Sequence, residues 1–195
     1  AGDRSFGAFA GQLIHDVRSG TGEAAELVGW QTFYCTDIHE YVSRPQSEFV
    51  MTAPTQVPDS NPMSAATAAA VESLFAYTGL QPFASGVSNT YAAAFQLSLW
   101  EIVSDFDPQA GRSSLDLGTG WFTATPSGSA SLRNEILSQA NLFLDAAAHG
   151  DEFSGSLIAF RSDRYQDQMY ATIPTSGSAV TFAAGLVLAC TRRRR

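Results

Sequence analysis

Strand-like segments at both ends of the chain enclose a helical middle, and this order restricts the fold more than any other feature of the sequence. Runs rich in aromatic and β-branched residues occupy 12–18, 29–38, 48–52, 156–162 and 166–173. The last two runs are close enough to predict a hairpin. Helical spacing of apolar residues predicts helices over 64–77, 91–105 and 131–149. Because strands and helices are grouped rather than alternating, we expect an α+β fold with mostly antiparallel strands packed against about three helices.

The charge of the chain is unevenly distributed. The formal net charge is −8, and all eleven basic residues are arginine. Four of them are the final residues Arg192, Arg193, Arg194 and Arg195, so the rest of the chain carries a formal charge of −12. Such a body should repel nucleic acid and anionic lipid headgroups. Nucleic acid is therefore not an expected partner.

The C-terminal segment differs in composition from the body. An apolar run covers 179–190 and precedes the arginine cluster, and Pro174 precedes the run. A helix over 173–190 would be about 27 Å long, which is marginal for a hydrocarbon core of about 30 Å. Basic residues prefer the cytoplasmic side of a membrane, so the body would lie outside. We therefore expect a domain over 1–172 and a separate tail over 173–195 with an apolar tail helix.

This tail resembles the PEP-CTERM sorting signal of Gram-negative bacteria, in which a short proline motif, an apolar helix and an arginine cluster follow one another. The resemblance covers the last 23 residues, and Thr175 and Ser176 depart from the Pro-Glu-Pro pattern after Pro174. It implies export to the cell surface or extracellular matrix, transient anchoring in the membrane by the tail, and processing by an exosortase-type enzyme. A simple tail anchor is the alternative.

Cys35 and Gln96 are the pair of residues with the most specific chemistry. Cys190 lies in the tail, so Cys35 has no obvious disulfide partner in the body. Gln96 lies at the margin of the apolar stripe of its predicted helix. A cysteine sulfur can attack a side-chain carboxamide, expel ammonia and leave a thioester, which aromatic side chains such as Tyr34 and Trp100 could shield from water.

The same residues resemble the thioester domains of bacterial surface adhesins. That family pairs an aromatic residue or leucine before a cysteine with a segment of the form hydrophobic-Gln-x-x-hydrophobic-Trp-x-hydrophobic. Tyr34-Cys35 matches the first part, and the segment 95–102 matches every specified position of the second, whereas Thr36 is less hydrophobic than usual for its place. The resemblance implies that Cys35 and Gln96 form the bond within a domain covering most of 12–173. It implies a binder that captures an amine- or hydroxyl-bearing partner covalently, once and without turnover, needing no cofactor; such a protein is not an enzyme.

Two other functions are compatible with the sequence. Cys35 could act in a cysteine hydrolase or amidase with His15, His39 or His149, although in an extended strand His39 would lie about 13 Å from it. The chain could also be an inert envelope or matrix domain in which Gln96 merely packs. No spacing of residues predicts a metal site.

Several polar residues have both a supporting and an ordinary interpretation. Glu101 could help to move protons during bond formation, or it could be a solvent-facing helix carboxylate. The segment 166–168 could support the site through hydrogen bonds, or it could belong to an edge strand with its polar side chains outward. Asp37 and Glu40 offer carboxylates near Cys35, and a solvated loop would explain them equally well.

Overall fold

The computed structural model describes residues 7–20, 22–42 and 47–172. Five antiparallel strands form one sheet in the order β1-β2-β5-β4-β3. The strands are β1 (Leu13–Val17), β2 (Gly29–Cys35), β3 (Val50–Thr52), β4 (Ser156–Arg161) and β5 (Gln168–Thr172). The helices are α1 (Ala65–Thr78), α2 (Asn89–Asp105) and α3 (Ala130–Ala147). The predicted α+β class, with antiparallel strands and three helices, is confirmed.

Each of the three helices begins at a serine that caps it. The hydroxyl oxygens of Ser64, Ser88 and Ser129 accept a hydrogen bond from the backbone N–H three residues further on. This bond satisfies one of the amides that have no partner inside the helix, which explains why the helices start there. At the other end of α1, Gly79 adopts a φ of +58° and turns the chain away.

Helix α2 lies at the centre of the core. It packs against α3, α1 and β2. Phe95, Leu99 and Ile102 are fully buried, as the apolar stripe predicts. Gln96, expected at the margin of that stripe, is fully buried as well, because neighbouring elements cover almost the whole circumference of α2 between 92 and 102. Polar side chains on this helix must therefore find partners within the protein.

The structure corrects two expectations about the strands. Strand β2 ends at Cys35 rather than at residue 38. The segment 166–168 does not belong to an edge strand, because it leads into β5, which lies between β2 and β4. All three residues of the segment are buried. The hairpin of β4 and β5 is as predicted, but its second strand also pairs with a strand from the start of the chain. Local patterns could not indicate this long-range pairing.

The predicted sorting tail, including Pro174 and the arginines from Arg192 to Arg195, lies outside the described residues. Among the helices within 7–172 that the structure describes, none has the length and apolar character to cross a membrane.

Candidate functional site

Cys35 and Gln96 meet through two reciprocal hydrogen bonds. The backbone N–H of Cys35 donates to Gln96 Oε1 at 3.0 Å, and Gln96 Nε2 donates to the backbone carbonyl oxygen of Cys35 at 2.8 Å. Both residues are buried, Cys35 at 3% exposure and Gln96 at 0%. The carboxamide of Gln96 thus pairs with the main chain of the same residue that carries the thiol, across 61 positions of sequence.

The neighbouring residues explain how this pair is positioned. Tyr34 and Phe95, which immediately precede Cys35 and Gln96, pack their rings together with a centroid distance of 4.6 Å. The hydroxyl of the fully buried Tyr34 donates to the carbonyl oxygen of Pro82 at 2.8 Å. This aromatic contact fixes the end of β2 against the middle of α2, and the next residue of each element then forms the polar pair.

The thiol of Cys35 has a partner of its own. Its Sγ lies 2.7 Å from Gln166 Oε1, and the Gln166 Nε2 donates to the backbone carbonyl oxygen of Asp37. Burial raises the pKa of the Cys35 thiol far above its ordinary value, and the negative charge of Asp37 raises this pKa further. The thiol is therefore neutral at physiological pH.

Trp100 and Glu101, predicted to support the site, make their contacts elsewhere. The Trp100 ring is buried against Phe122, with centroids 6.1 Å apart, and its Nε1 finds no hydrogen-bond partner among the described residues. Glu101 is fully buried, so the solvent-facing interpretation is wrong. Its Oε1 accepts the backbone N–H of Asp116 at 2.6 Å, while Oε2 finds no partner in the described part of the chain.

The loop after α2 covers Glu101, and hydrogen bonds to Asp105 hold this loop against the end of the helix. The two carboxylate oxygens of Asp105 accept the backbone N–H groups of Trp121 and Phe122 at 2.9 and 2.7 Å. Gly120 adopts a φ of +108°, and a Cβ there would lie 2.9 Å from an Asp105 oxygen, so this turn requires glycine. Burial raises the pKa of Glu101 from 4.5 to about 7, although the bond from Asp116 opposes the shift.

A cleft of about 310 Å³ opens next to the site, lined by residues that directly follow Cys35, by the turn at 58–61, by the end of α2 and by Trp121. Thr36 contributes a hydroxyl that is buried and has no hydrogen-bond partner among described residues. Asp37 is 3% exposed, so a solvated loop does not explain it. Its carboxylate accepts the N–H of His39 at 2.7 Å and the hydroxyl of Ser60 at 3.1 Å. The exposed Trp121 forms another wall, and its ring packs against the ring of His39 with a centroid distance of 5.2 Å.

Carboxylates surround this side of the molecule. Asp167 is buried and accepts the backbone N–H groups of Ser162 at 2.8 Å and Asp59 at 2.6 Å. Glu40 is half-buried. Its pKa is raised first by burial and then by the neighbouring negative charges, of which Asp37 is the largest. The surroundings of the site are thus acidic, in keeping with the charge of the whole body.

None of the three histidines is hydrogen-bonded to Cys35. His15 accepts a hydrogen bond from Gln168 Nε2 at 3.2 Å, and His149 Nδ1 donates to the carbonyl oxygen of Asp145 at 2.6 Å. His39 lies in the bend after β2 against Trp121. Within the described ranges, no group of histidine, cysteine and acidic residues is arranged to hold a metal ion.

Sequence reasoning assigned no specific contact to Gln166 or Asp105. The sequence places Gln166 only within a polar segment that has two interpretations, and in the structure its Oε1 lies 2.7 Å from the Cys35 sulfur. Asp105 was predicted only as the end of a helix. Its function in holding a loop had one signal in the sequence, a glycine followed by two aromatic residues at 120–122.

Comparisons of the chain with models of protein families, with curated proteins and with solved structures found no match. The chemistry of the site must therefore be inferred from its own residues and their geometry.

Proposed function

We propose that this protein is an exported covalent binder whose Cys35 and Gln96 form an internal thioester, which a nucleophile on another molecule opens. The observation that carries this proposal is the reciprocal hydrogen bonding between the Gln96 carboxamide and the Cys35 main chain at 3.0 and 2.8 Å. It holds the amide group beside the residue that bears the thiol, in a site almost closed to water.

Bond formation would proceed by acyl transfer. The Cys35 sulfur attacks the Cδ of Gln96, the Sγ–Cδ bond forms, and the Cδ–Nε2 bond breaks. The thiol proton leaves with Nε2 as ammonia, so atoms and charge balance without an oxidant or a reductant. Since the thiol is neutral, its proton must move to the departing nitrogen in step with the attack.

The backbone of Cys35 is suited to this reaction. Its N–H already points at Oε1, the atom that becomes negatively charged in the tetrahedral intermediate. A fixed donor of this kind typically accelerates acyl transfer by about 100-fold or more in a site that excludes water. The carbonyl oxygen of Cys35 holds the leaving nitrogen through the second bond. One peptide segment would thus stabilise the oxyanion and orient the leaving group.

An amine of a partner would open the thioester by the reverse of this reaction, with the amine nitrogen in the place of ammonia. Loss of ammonia leaves the Cys35 carbonyl oxygen without its donor, and an incoming N–H or O–H group could take that place. The nucleophile would attack Cδ, the Sγ–Cδ bond would break, and Cys35 would regain its proton. The product is an amide or an ester to the partner. The N-substituted amide formed with a partner does not return to the thioester, so the protein acts once and is not a turnover enzyme.

The cleft beside Cys35 is the route by which a partner would approach. It begins at Thr36, the residue after Cys35, and Trp121 and His39 line it. The partner would be an amine- or hydroxyl-bearing molecule of a surface or matrix. The resemblance of the tail to a sorting signal supports export, exosortase-type processing and transient anchoring as part of the same proposal.

The thioester would also act as a cross-link. It would join residues 61 positions apart, and closing a loop of that length stabilises a fold by up to about 4 kcal/mol on a chain-entropy model. The alternative function, a hydrolase with Cys35 as its nucleophile, is less well supported. The thiol is buried with a raised pKa, and none of the three histidines is hydrogen-bonded to it.

The order of chemical labelling tests this function. The native protein should resist iodoacetamide at Cys35, and treatment with methylamine should add one methylamine at Gln96 and release a thiol that iodoacetamide then labels after unfolding. Cys35→Ala should take up no methylamine. If unfolding alone, without any amine, yields a completely labelled Cys35 thiol while residue 96 keeps the mass of glutamine rather than of glutamate, the proposed thioester is wrong.

A further inference from the structure

The Cys35 sulfur and the carboxamide of Gln166 are closer together than a hydrogen bond between them would place them. Sγ lies 2.7 Å from Gln166 Oε1. A length of about 2.7–2.8 Å is typical of a hydrogen bond between two oxygens. Sulfur is a larger atom and a weaker donor, so an S–H···O bond is considerably longer. Both residues are buried, and the contact fits two groups about to react better than a donor with its acceptor.

The electrophilic carbon of Gln166 is within reach of the sulfur. Its Cδ is separated from Oε1 by one carbonyl bond, so Cδ can lie no farther than about 3.9 Å from Sγ. Reacting atoms in a productive complex are typically about 3–3.5 Å apart. Only a small movement therefore separates the sulfur from the position of attack on this carbon.

The sheet places the two side chains on one face. Cys35 lies opposite Gln168 where β2 pairs with β5. The backbone N–H of Thr36 donates to the carbonyl oxygen of Asp167 at 2.9 Å, which continues this pairing by one position. Side chains two positions apart along a strand share a face. Gln166 is therefore a diagonal neighbour of Cys35 on the face that carries the sulfur.

Gln96 meets Cys35 from a different direction. The N–H and C=O groups of a strand residue point along the sheet, whereas its side chain projects from one face. Both hydrogen bonds of the Gln96 carboxamide, at 3.0 and 2.8 Å, join it to these two main-chain groups. Strand β1 pairs with β2 only as far as Phe33, so Gln96 takes up the groups that β1 leaves free at Cys35. Its carboxamide is thus bonded to the peptide groups and not to the thiol.

We infer that Gln166, rather than Gln96, supplies the acyl group of the thioester at Cys35. This inference rests on the proposed function, a thioester at Cys35 that a nucleophile opens, and revises which of the two glutamines reacts. Sγ attacks the Cδ of Gln166, the Sγ–Cδ bond forms and the Cδ–Nε2 bond breaks. The thiol proton leaves with Nε2 as ammonia, so atoms and charge balance. Gln96 holds the main chain of Cys35 in place for the attack, and closure needs both glutamines.

The leaving nitrogen of Gln166 is held by a residue of the cleft. Nε2 donates to the backbone carbonyl oxygen of Asp37, and Asp37 lines the cleft together with Thr36 and Trp121. Ammonia lost from Gln166 is released beside this cleft. An incoming amine can take over the hydrogen bond to Asp37 and attack from the same side.

The position of a methylamine adduct identifies the acyl group. The purified wild-type protein is treated with methylamine, digested and mapped by tandem mass spectrometry, and we expect the adduct at residue 166. Gln166→Glu has a nearly identical shape but no ammonia to lose, so it should show the full mass of its sequence and take up no methylamine. The matched control is Gln168→Glu, since Gln168 is also buried but contacts His15 instead of the sulfur; it should still lose one ammonia.

Each outcome decides the inference. An adduct at residue 96, or a Gln166→Glu protein that still loses one ammonia, would overturn it and leave the proposed function intact. A wild-type protein that keeps its full mass and takes up no methylamine would overturn the proposed function and this inference together. The mapping uses the wild type alone, so it decides between the two glutamines even if Gln166→Glu does not fold.

Discussion

Glu101 should make the stability of this protein decrease as the pH rises through 7. Its carboxyl group is fully buried, one oxygen accepts the backbone N–H of Asp116, and the other has no hydrogen-bond partner among the described residues. Burial raises its pKa from 4.5 to about 7. The folded state therefore holds a proton that the unfolded state has released between these two pH values.

The sign and the size of the effect follow from this difference. The stabilisation is fully present below pH 4.5 and is lost as the pH rises through about 7. It amounts to at most about 3 kcal/mol. Glu101→Gln keeps an oxygen for the N–H of Asp116 but cannot ionise. The variant should match the wild type near pH 4.5 and be more stable than the wild type by up to about 3 kcal/mol at pH 8.

Urea unfolding monitored by tryptophan fluorescence from pH 4.5 to 8.5 measures this difference. Glu135→Gln, which removes an exposed glutamate from α3, is the matched control for the loss of one negative charge. A constant difference in the free energy of unfolding between Glu101→Gln and the wild type at every pH would refute the reasoning. So would a variant that is less stable than the wild type at pH 8.

Three further substitutions test the contacts around the site. In a Cys35→Ala background, which retains the carboxamide and cannot form a thioester, Gln96→Leu leaves the buried N–H and carbonyl groups of residue 35 unpaired and should lower the free energy of unfolding by about 2–4 kcal/mol in urea; a change below about 1 kcal/mol would contradict the reciprocal pair. Asp105→Ala removes the acceptor of two backbone N–H groups and should make the loop at 106–129 several-fold more sensitive to limited proteolysis, whereas unchanged cleavage would show that the loop needs no such anchor. Tyr34→Phe removes one of the two donors to the Pro82 carbonyl oxygen, the other being Gln12 Nε2 at 2.6 Å, and should destabilise the fold by about 0.5–1.5 kcal/mol in urea; equal stability would show that this bond is dispensable.

The elements of this fold could be predicted from local patterns, but their arrangement could not. All three helices and five strands lie within a few residues of the predicted ranges, because apolar spacing and serine caps are local signals. The position of β5 between β2 and β4 depends on pairing between the two ends of the chain. A polar segment such as 166–168 therefore resembled an edge in sequence and is buried in the structure.

In the candidate site, too, the residue types could be predicted from local patterns and the long-range contacts could not. Residue types and flanking pattern predict Cys35 and Gln96 as a pair, and in the structure the carboxamide of Gln96 lies on the main chain of Cys35. The burial of Glu101 could not be predicted from α2 alone, because the loop after the helix folds back and covers it. The contact of Gln166 with the sulfur likewise depends on where β5 lies.

The most direct test of the central claim is the intact mass of the purified protein, recorded without exposure to amines. The proposed thioester predicts a mass lower by one ammonia than the sequence requires, and Cys35→Ala and Gln96→Ala should each show the full mass of their own sequences. A wild-type protein that shows its full sequence mass and one titratable thiol at Cys35 after unfolding would contradict the claim.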